Sequence, residues 1–451
     1  MSRIFLISSN TALDPYPVYP VGMAIIASAL ASAGHEVGQF DMLAAGHSET
    51  GLRQAIADFS PDYVGISIRN IDTVDSCNVA NEWFLSSDLR IVKIIRETTA
   101  APIILGGSAF SIMPDEILHY LGADYGIAGE GEQAVCDLIA ALNERRPMPA
   151  ITRNGAAFRS GDAIACRPLW DRGLISFYAG KSGMMSMQTK RGCPHKCTYC
   201  SYPAIEGDTI RYRLPDDIAD EVERLQKDYG INMVYFTDSV FNDDDGVYLK
   251  IAETFIRREI HIKWAGFFRP ESIAKDKMAL LKRSGLYAIE AGSDAASDET
   301  LAGINKRFTF DDVYEFNQSC VDAQIPCAHY IIFGGPGETE KTLREGFRNI
   351  EMLKNCIVFA FSGIRILPGT GLHCRAIEDG ILKEGESLLK SIYYFSPAIV
   401  PAEMNRILTD TFRGCRDRIF PPSQGLEMVR VMNKYGYHGL LWDRLISFHD
   451  V

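Results

Sequence analysis

The chain has 451 residues, 47% of them hydrophobic and 23% charged, which suits a soluble protein long enough for two or three domains. A formal charge of −12 repels phosphate backbones, and no cluster of lysine or arginine offsets it locally, so no nucleic-acid partner is expected. No apolar run is long enough to span a bilayer, and Met1-Ser2-Arg3 with the short apolar strand after it lacks the layout of a signal peptide, so we expect a cytoplasmic protein with no membrane span.

Residues 1–146 alternate short apolar runs with amphipathic stretches. Ile4–Ser8, Glu36–Phe40, Tyr63–Ile68, Pro102–Leu105 and Tyr125–Ile127 read as strands, and Met23–Ala33 and Glu49–Phe59 as helices. The alternation predicts an α/β, Rossmann-like domain with a doubly wound parallel sheet, which binds ligands beyond the carboxyl ends of its strands. Those ends carry small or unusual residues: Pro20-Val21-Gly22, Ser67-Ile68-Arg69-Asn70, Gly106-Gly107-Ser108 and Gly129-Glu130-Gly131-Glu132. Any one of them would serve as a plain turn, and their recurrence is what marks a candidate site.

Residues 147–183 lose periodicity in Pro, Gly and Arg punctuation and read as a linker. Over 184–375 the alternation returns, with strands at Met184–Thr189, Met233–Thr237, Ile262–Gly266, Tyr287–Ala291, Ala328–Phe333 and Phe359–Ile366 and a helix at Asp216–Asp228. That pattern predicts a partial (β/α)6 barrel of the TIM type, its site where the strands end. Residues 376–451, with Tyr393-Tyr394-Phe395 and Tyr435-Gly436-Tyr437, read as a small, mostly helical cap.

Eleven cysteines in a reducing compartment invite a metal reading only where they group, and three do: Cys193, Cys197 and Cys200, in C-x3-C-x2-C directly after the first barrel strand. Three thiolates on one tight loop can each take an iron of a cubane and leave the fourth iron open to an external ligand. A closed zinc site would need a fourth ligand, and His195 lies too close in sequence for a relaxed tetrahedron. A redox dithiol from Cys197 and Cys200 would leave Cys193 unexplained. The other eight, Cys77, Cys136, Cys166, Cys320, Cys327, Cys356, Cys374 and Cys415, read mostly as buried small hydrophobes.

Lys190 to Cys200 resembles the radical SAM signature. The resemblance implies a [4Fe–4S] cluster on the three cysteines, with S-adenosyl-L-methionine (SAM) on the open iron, cleaved by one electron to a 5′-deoxyadenosyl radical. The same resemblance implies an external low-potential electron donor of the flavodoxin or ferredoxin type. It also places Tyr199 beside the adenine, lets Glu290 and Ser293 in Tyr287–Ser293 reach SAM, and assigns Gly334 and Gly335 to a turn along which backbone meets the adenine. Asp238, Arg269 and Arg365 are further candidates for the barrel mouth, each open to a structural ion pair instead, as is Glu290 with Lys306 or Arg307.

The first domain has no G-x-G-x-x-G after its first strand. Ahead of such a barrel, however, its glycine-bearing loops resemble the cobalamin-binding domain of B12-dependent radical SAM enzymes. That resemblance implies cobalamin held by Pro20, Gly22, Ser67, Arg69, Asn70, Gly106, Gly107, Ser108, Gly129, Glu130 and Gly131. The D-x-H-x-x-G motif that supplies a histidine to cobalt is missing, and His35 and His47 lie outside such a pattern. Arg69 is placed by this reading under the corrin ring, with a pair to Asp72 or Asp75 as the structural alternative.

The implied reaction is methylation of an unactivated carbon of a small-molecule or lipid-like substrate, through the 5′-deoxyadenosyl radical and methylcobalamin. Gly129–Glu132 and Arg365–Thr370 also resemble the bacteriochlorophyll cyclase type, so oxidation, cyclisation or rearrangement without methyl transfer is the second reading. A cobalamin or redox sensor without turnover is a remote third, since no DNA-reading element accompanies the acidic surface.

Overall fold

A computed structural model describes residues 1–13, 16–77, 83–153, 167–271 and 273–446. Six parallel strands form the first sheet: β1 (Arg3–Ser8), β2 (Glu36–Asp41), β3 (Tyr63–Ser67), β4 (Ile103–Gly106), β5 (Tyr125–Ala128) and β6 (Ile151–Arg153), in the order β2-β1-β3-β4-β5-β6. Helices Val21–Ser32 and Glu132–Asn143 pack together, as do Glu49–Phe59 and Leu85–Thr98. The strand order reverses at β1 and β3, which opens a crevice beyond their carboxyl ends.

The stretch expected as linker is structured at both ends. Its first part supplies β6, parallel to β5, and its last part the helix Arg172–Ser182. Asp171 caps that helix by accepting from Leu174 N–H, and Gly183 ends it at a φ of 71°. Punctuation residues hid both elements, because a three-residue edge strand has no period to read.

The second sheet begins with β7 (Met185–Met187). A short hairpin follows, β8 (Lys190–Arg191) with β9 (Arg211–Tyr212), and then β10 (Met233–Phe236), β11 (Lys263–Phe268), β12 (Leu286–Asp294), β13 (Cys327–Phe333) and β14 (Ile357–Ser362). Strands β15 (Ile364–Arg365) and β16 (Tyr393–Tyr394) make a two-residue antiparallel ladder. The C-terminal region is helical at Pro401–Phe412 and Pro422–Lys434, but its β17 (Arg418–Ile419) joins β14 in parallel. The open barrel thus has seven strands, β17-β14-β13-β12-β11-β10-β7, one more than the six expected.

Strand alternation separates two environments. Outward residues such as Val234, Phe236, Phe268, Ile331, Phe333 and Val358 are buried under the helices. The inner floor is closed by Met233, Ala265, Ala288, Ala328 and Ile357, packed with Trp442 of the C-terminal segment. Three alanines on adjacent strands leave the room that the indole takes.

Cys320, Cys327 and Cys356 are buried as expected, whereas Cys77 and Cys136 are half-buried and Cys374 and Cys415 exposed. Cys374 lies on the helix Gly371–Glu378 and Cys415 beyond the end of the helix Pro401–Phe412, both exposed to solvent, which corrects the reading of them as core. Cys166 lies outside the described residues. Among the described residues no helix is long and apolar enough to cross a membrane.

Candidate functional site

The cysteine loop is held from several sides. Gly192 enters it at a φ of +91°, where a Cβ would stand 2.2 Å from Thr209 O, so only glycine fits. Cys193 N–H donates to Gly207 O at 3.0 Å and Thr198 N–H to Ile304 O at 3.0 Å, while Thr198 O accepts from Leu372 N–H at 2.7 Å. Buried Asp238 accepts from Thr189 N–H (2.7 Å) and Lys190 N–H (3.2 Å), and so fixes the strand leading into the loop rather than lining the mouth. Fully buried Lys190 pairs with Asp243 at 2.5 Å.

Burial pushes the Cys200 thiol up to about 12 and raises Cys193 as well, and the neighbouring cysteines add to both shifts. Thiolates are costly there unless a cation compensates them, which is the chemistry of an iron-bound donor set. Among the described residues no three His, Cys, Asp or Glu side chains converge on one ion-sized point. Three cysteines each serving a separate iron of one cluster do not need such convergence. His195 stands aside, its Nδ1 2.6 Å from Arg269 Nη1; burial, then Arg269, lower its pKa to about 4, so the imidazole stays neutral. Arg269 also pairs with Glu271 at 2.5 Å.

Tyr199 donates to Asp294 at 2.8 Å, and Lys306 pairs with the same carboxylate while its Nζ lies 5.6 Å from the Tyr199 ring centroid. Asp294 and Lys306 are thus the polar groups that reach the cysteine loop from β12 and from the loop after helix Asp298–Gly303. Ser293 does not reach it. Its hydroxyl faces outward to His329 Nδ1 at 2.8 Å, because residues three apart on a strand point to opposite faces. Glu290 points inward but one layer below the mouth, and Lys306 belongs to Asp294, not to Glu290. The missing Cβ atoms at Gly334 and Gly335 make room for Phe395 and Ile364, 3.0 Å from where each would stand, so on that side they admit protein rather than a ligand.

A cavity of about 390 Å³ lies between the first sheet and the barrel mouth. Pro20, Gly22, Ser67, Arg69, Gly106, Gly107, Ser108, Gly129, Glu130 and Gly131 line it, together with Ser186, Gln188, Arg191, Tyr202 and Thr237 of the barrel. Asn70 is not among the lining residues, a correction to the expected set. Nothing stands within 4 Å of a Cβ built at Gly22, and the nearest atom at Gly106 is 3.8 Å away, so both leave open space for a ligand. Gly107 serves the fold instead, since at φ +99° its Cβ would meet Ile68 O at 2.4 Å.

Arg69 is accessible by surface area yet enclosed by protein, because the surface it exposes is cavity wall. Burial lowers its pKa, with Tyr16, Tyr178 and Tyr202 opposing. Among the described residues its side chain has no ion pair: Asp72 is taken by Arg365 at 2.8 Å, and Asp75 accepts from Cys77 N–H at 2.9 Å. An enclosed cation without a partner is costly, and a ligand group that accepts from it would offset that cost. Arg365 in turn spans the domains, donating also to Ile366 O and Leu388 O at 2.6 Å each, and leaves the mouth. Glu130 joins the domains as well, receiving both Arg211 nitrogens at 2.9 and 2.6 Å and Arg191 at 3.1 Å, so its carboxylate serves the interface.

The residues present fit both groups: a donor set that needs cationic iron, and a glycine-edged cavity at the first sheet's switch point with Arg69, which has no ion pair among the described residues. Residues 187–349 match the Radical SAM superfamily, and residues 10–139 match the B12 binding domain. The chain thus carries a B12-binding domain followed by a radical SAM domain. It is 25% identical over 434 residues to the tryptophan 2-C-methyltransferase of Streptomyces laurentii, covering 79% of this chain and 72% of that one. It is 24% identical to the anaerobic magnesium-protoporphyrin IX monomethyl ester cyclase of Rubrivivax gelatinosus, over 73% of this chain and 61% of the relative. The radical S-adenosylmethionine methyltransferase TsrM from Kitasatospora setae, solved with cobalamin and a [4Fe–4S] cluster, shares the fold with a TM-score of 0.85 at 23% identity, covering 99% of this chain and 97% of that one.

Proposed function

We propose that this chain is a cobalamin-dependent radical SAM C-methyltransferase acting on a small molecule. The observation that carries the reading is the cavity, whose wall runs from unpaired Arg69 and open Gly22 and Gly106 to Arg191 and Tyr202 on either side of the three cysteines. When bound, the cluster and SAM supply one-electron bond cleavage, and cobalamin supplies a methyl carrier.

Cys193, Cys197 and Cys200 would hold the cluster, and the Asp294–Lys306 pair with Tyr199 would position SAM's end of the site. Arg69 would hold cobalamin as a cation on the cavity wall. Gly22, Gly106, Ser67 and Ser108 would shape the corrin's edge. The buried Arg365–Asp72 pair and the Glu130 clamp keep the two halves closed over the cavity, which excludes water from a radical site. An external low-potential donor, flavodoxin or ferredoxin, would supply the electron, and an oxygen-sensitive cluster suits a cytoplasmic location.

The likeness to the cyclase supports one alternative, radical oxidation or cyclisation without methyl transfer. Anaerobic protein reconstituted with iron, sulfide and cobalamin, then given SAM with a deuterated methyl group and a low-potential reductant, separates the two. S-Adenosylhomocysteine formed in proportion to label leaving SAM supports methyl transfer. 5′-Deoxyadenosine alone, lost in Cys197→Ala, supports the cyclase-type chemistry instead.

A further inference from the structure

The fold gathers cations that the sequence keeps apart. Asn305 Nδ2 donates to Lys196 O at 2.6 Å across 109 residues, and Thr198 N–H to Ile304 O, so the cysteine loop and residues 304–307 form one fixed surface. Pro194, Lys196, Asn305 and Arg307 are exposed on it, and Lys306 behind them reaches Cys197. Arg269, Lys306 and Arg307 all lie close enough to act on His195, between the first two cysteines, and one carboxylate, the exposed Asp244, opposes them. Arg269 and Lys306 have carboxylate partners in Glu271 and Asp294. Lys196 and Arg307 have no ion pair among the described residues, so their charge is presented to solvent.

The chain carries −12 overall, so a face with unpaired cations stands out against its own background and draws an acidic partner to one place. The same face is where the cysteine loop meets solvent. Its other flank turns to the first domain, since Tyr202 and Glu206, just after Cys200, line the cavity described above. Electron transfer through protein weakens steeply with distance, and a donor therefore has to approach the cluster from the side where only the loop intervenes.

We propose that the surface of Lys196, Asn305 and Arg307 docks an acidic one-electron carrier protein of the flavodoxin kind, which bears carboxylates around its redox group. The inference rests on the reading that the three cysteines hold a reducible cluster, and it names where the external donor of that reading binds. One electron leaves the carrier and enters the cluster; no bond is made or broken and no proton is needed. Exposed cations act mainly on the rate of encounter, so the effect belongs in the second-order rate constant and its salt dependence.

The test mixes the chain, loaded with cluster and cobalamin, anaerobically with fully reduced flavodoxin and follows the reduced cluster by freeze-quench electron paramagnetic resonance. No SAM or substrate is present, so the outcome does not depend on methyl transfer. The rate constant should fall at least about tenfold in the double variant Lys196→Glu with Arg307→Glu. It should fall likewise in the unaltered chain when salt cuts the Debye length from about 30 to about 3 Å. Reduced methyl viologen, a small cation, should reduce the double variant no more slowly than the unaltered chain, whereas a merely structural change would slow both reductants. Lys263→Glu reverses an exposed charge at the opposite end of β11 from Arg269 and should leave the flavodoxin rate within about twofold. Should the double variant take up no cluster, Arg307→Gln, outside the loop, decides, with an expected loss of about threefold. A flavodoxin rate unmoved by the substitutions or by salt, equal slowing with both reductants, or a cluster that methyl viologen reduces and flavodoxin does not would overturn the inference. Weakened SAM binding in the variants would overturn it too, by assigning the cations to SAM. An unaltered chain that takes up no cluster would sink the underlying reading and this inference with it, before any carrier is added.

Discussion

Gly192→Ala should cost the protein its cluster more than its fold. At φ +91° an L-residue is strained by about 1–2 kcal/mol. The new Cβ would also stand 2.2 Å from Thr209 O, 0.8 Å inside the 3.0 Å below which such contacts are essentially never seen. Backbone oxygen cannot rotate away, so the loop carrying Thr209 has to move, and Cys193 N–H donates to Gly207 O on that same loop at 3.0 Å. The first thiol is therefore displaced by a substitution that touches no ligand. Gly230→Ala provides the control: it sits at φ +69° with nothing within 4 Å of its Cβ, so it bears comparable backbone strain without the overlap. Iron and sulfide content and visible absorbance after anaerobic reconstitution are the assay, with far-ultraviolet circular dichroism for the fold. Most of the cluster should be lost in Gly192→Ala and retained in Gly230→Ala. Equal iron in the two variants would refute the reasoning, because strain alone would then account for whatever is seen.

Arg365→Met should destabilise the chain by about 3–5 kcal/mol, since it leaves the Asp72 carboxylate buried without its cation, accepting from Ser391 Oγ at 2.7 Å and Val74 N–H at 2.9 Å; urea denaturation measures it, and adding Asp72→Asn should recover part of the loss. Asp88, 2% exposed in the helix Leu85–Thr98, has its pKa raised by burial to about 7. Because that folded value lies above the ordinary 3.8, the folded chain keeps a proton that the unfolded chain releases, and stability falls as pH rises from about 4 to about 7, by up to about 4 kcal/mol. Asp88→Asn should flatten this dependence and raise the melting temperature at pH 8; an unchanged pH profile would show that Asp88 is already ionised in the fold.

What the chain's pattern reveals depends on how locally each feature is specified. Most strands of both sheets were visible because parallel strands buried on both faces are largely apolar runs, as in Ile4–Ile7 of β1 and Ile357–Phe361 of β14. Strand β6 and strand β17 were not, being three and two residues long and held only by a neighbour distant in sequence. The cysteine motif was legible because a cluster loop needs its ligands close together along the chain. Arg69 and the glycines of the cavity were legible for a related reason: they stand at successive strand ends, where the topology alone brings them together.

Glu290 and Ser293 show where such reading stops. Strand β12 is buried almost throughout, so no alternation of polar and apolar residues marks which of its side chains look into the barrel. Both polar residues were open to assignment to SAM, yet the period of two lets only one of them face inward, and the register that decides it is set by β11 and β13. The partners of Glu290 are further still: Tyr16 is 274 residues away and Trp442 is 152. A local motif can therefore name the cofactor chemistry, while the surroundings of Glu290 are assembled from the first domain, the barrel and the C-terminal segment together.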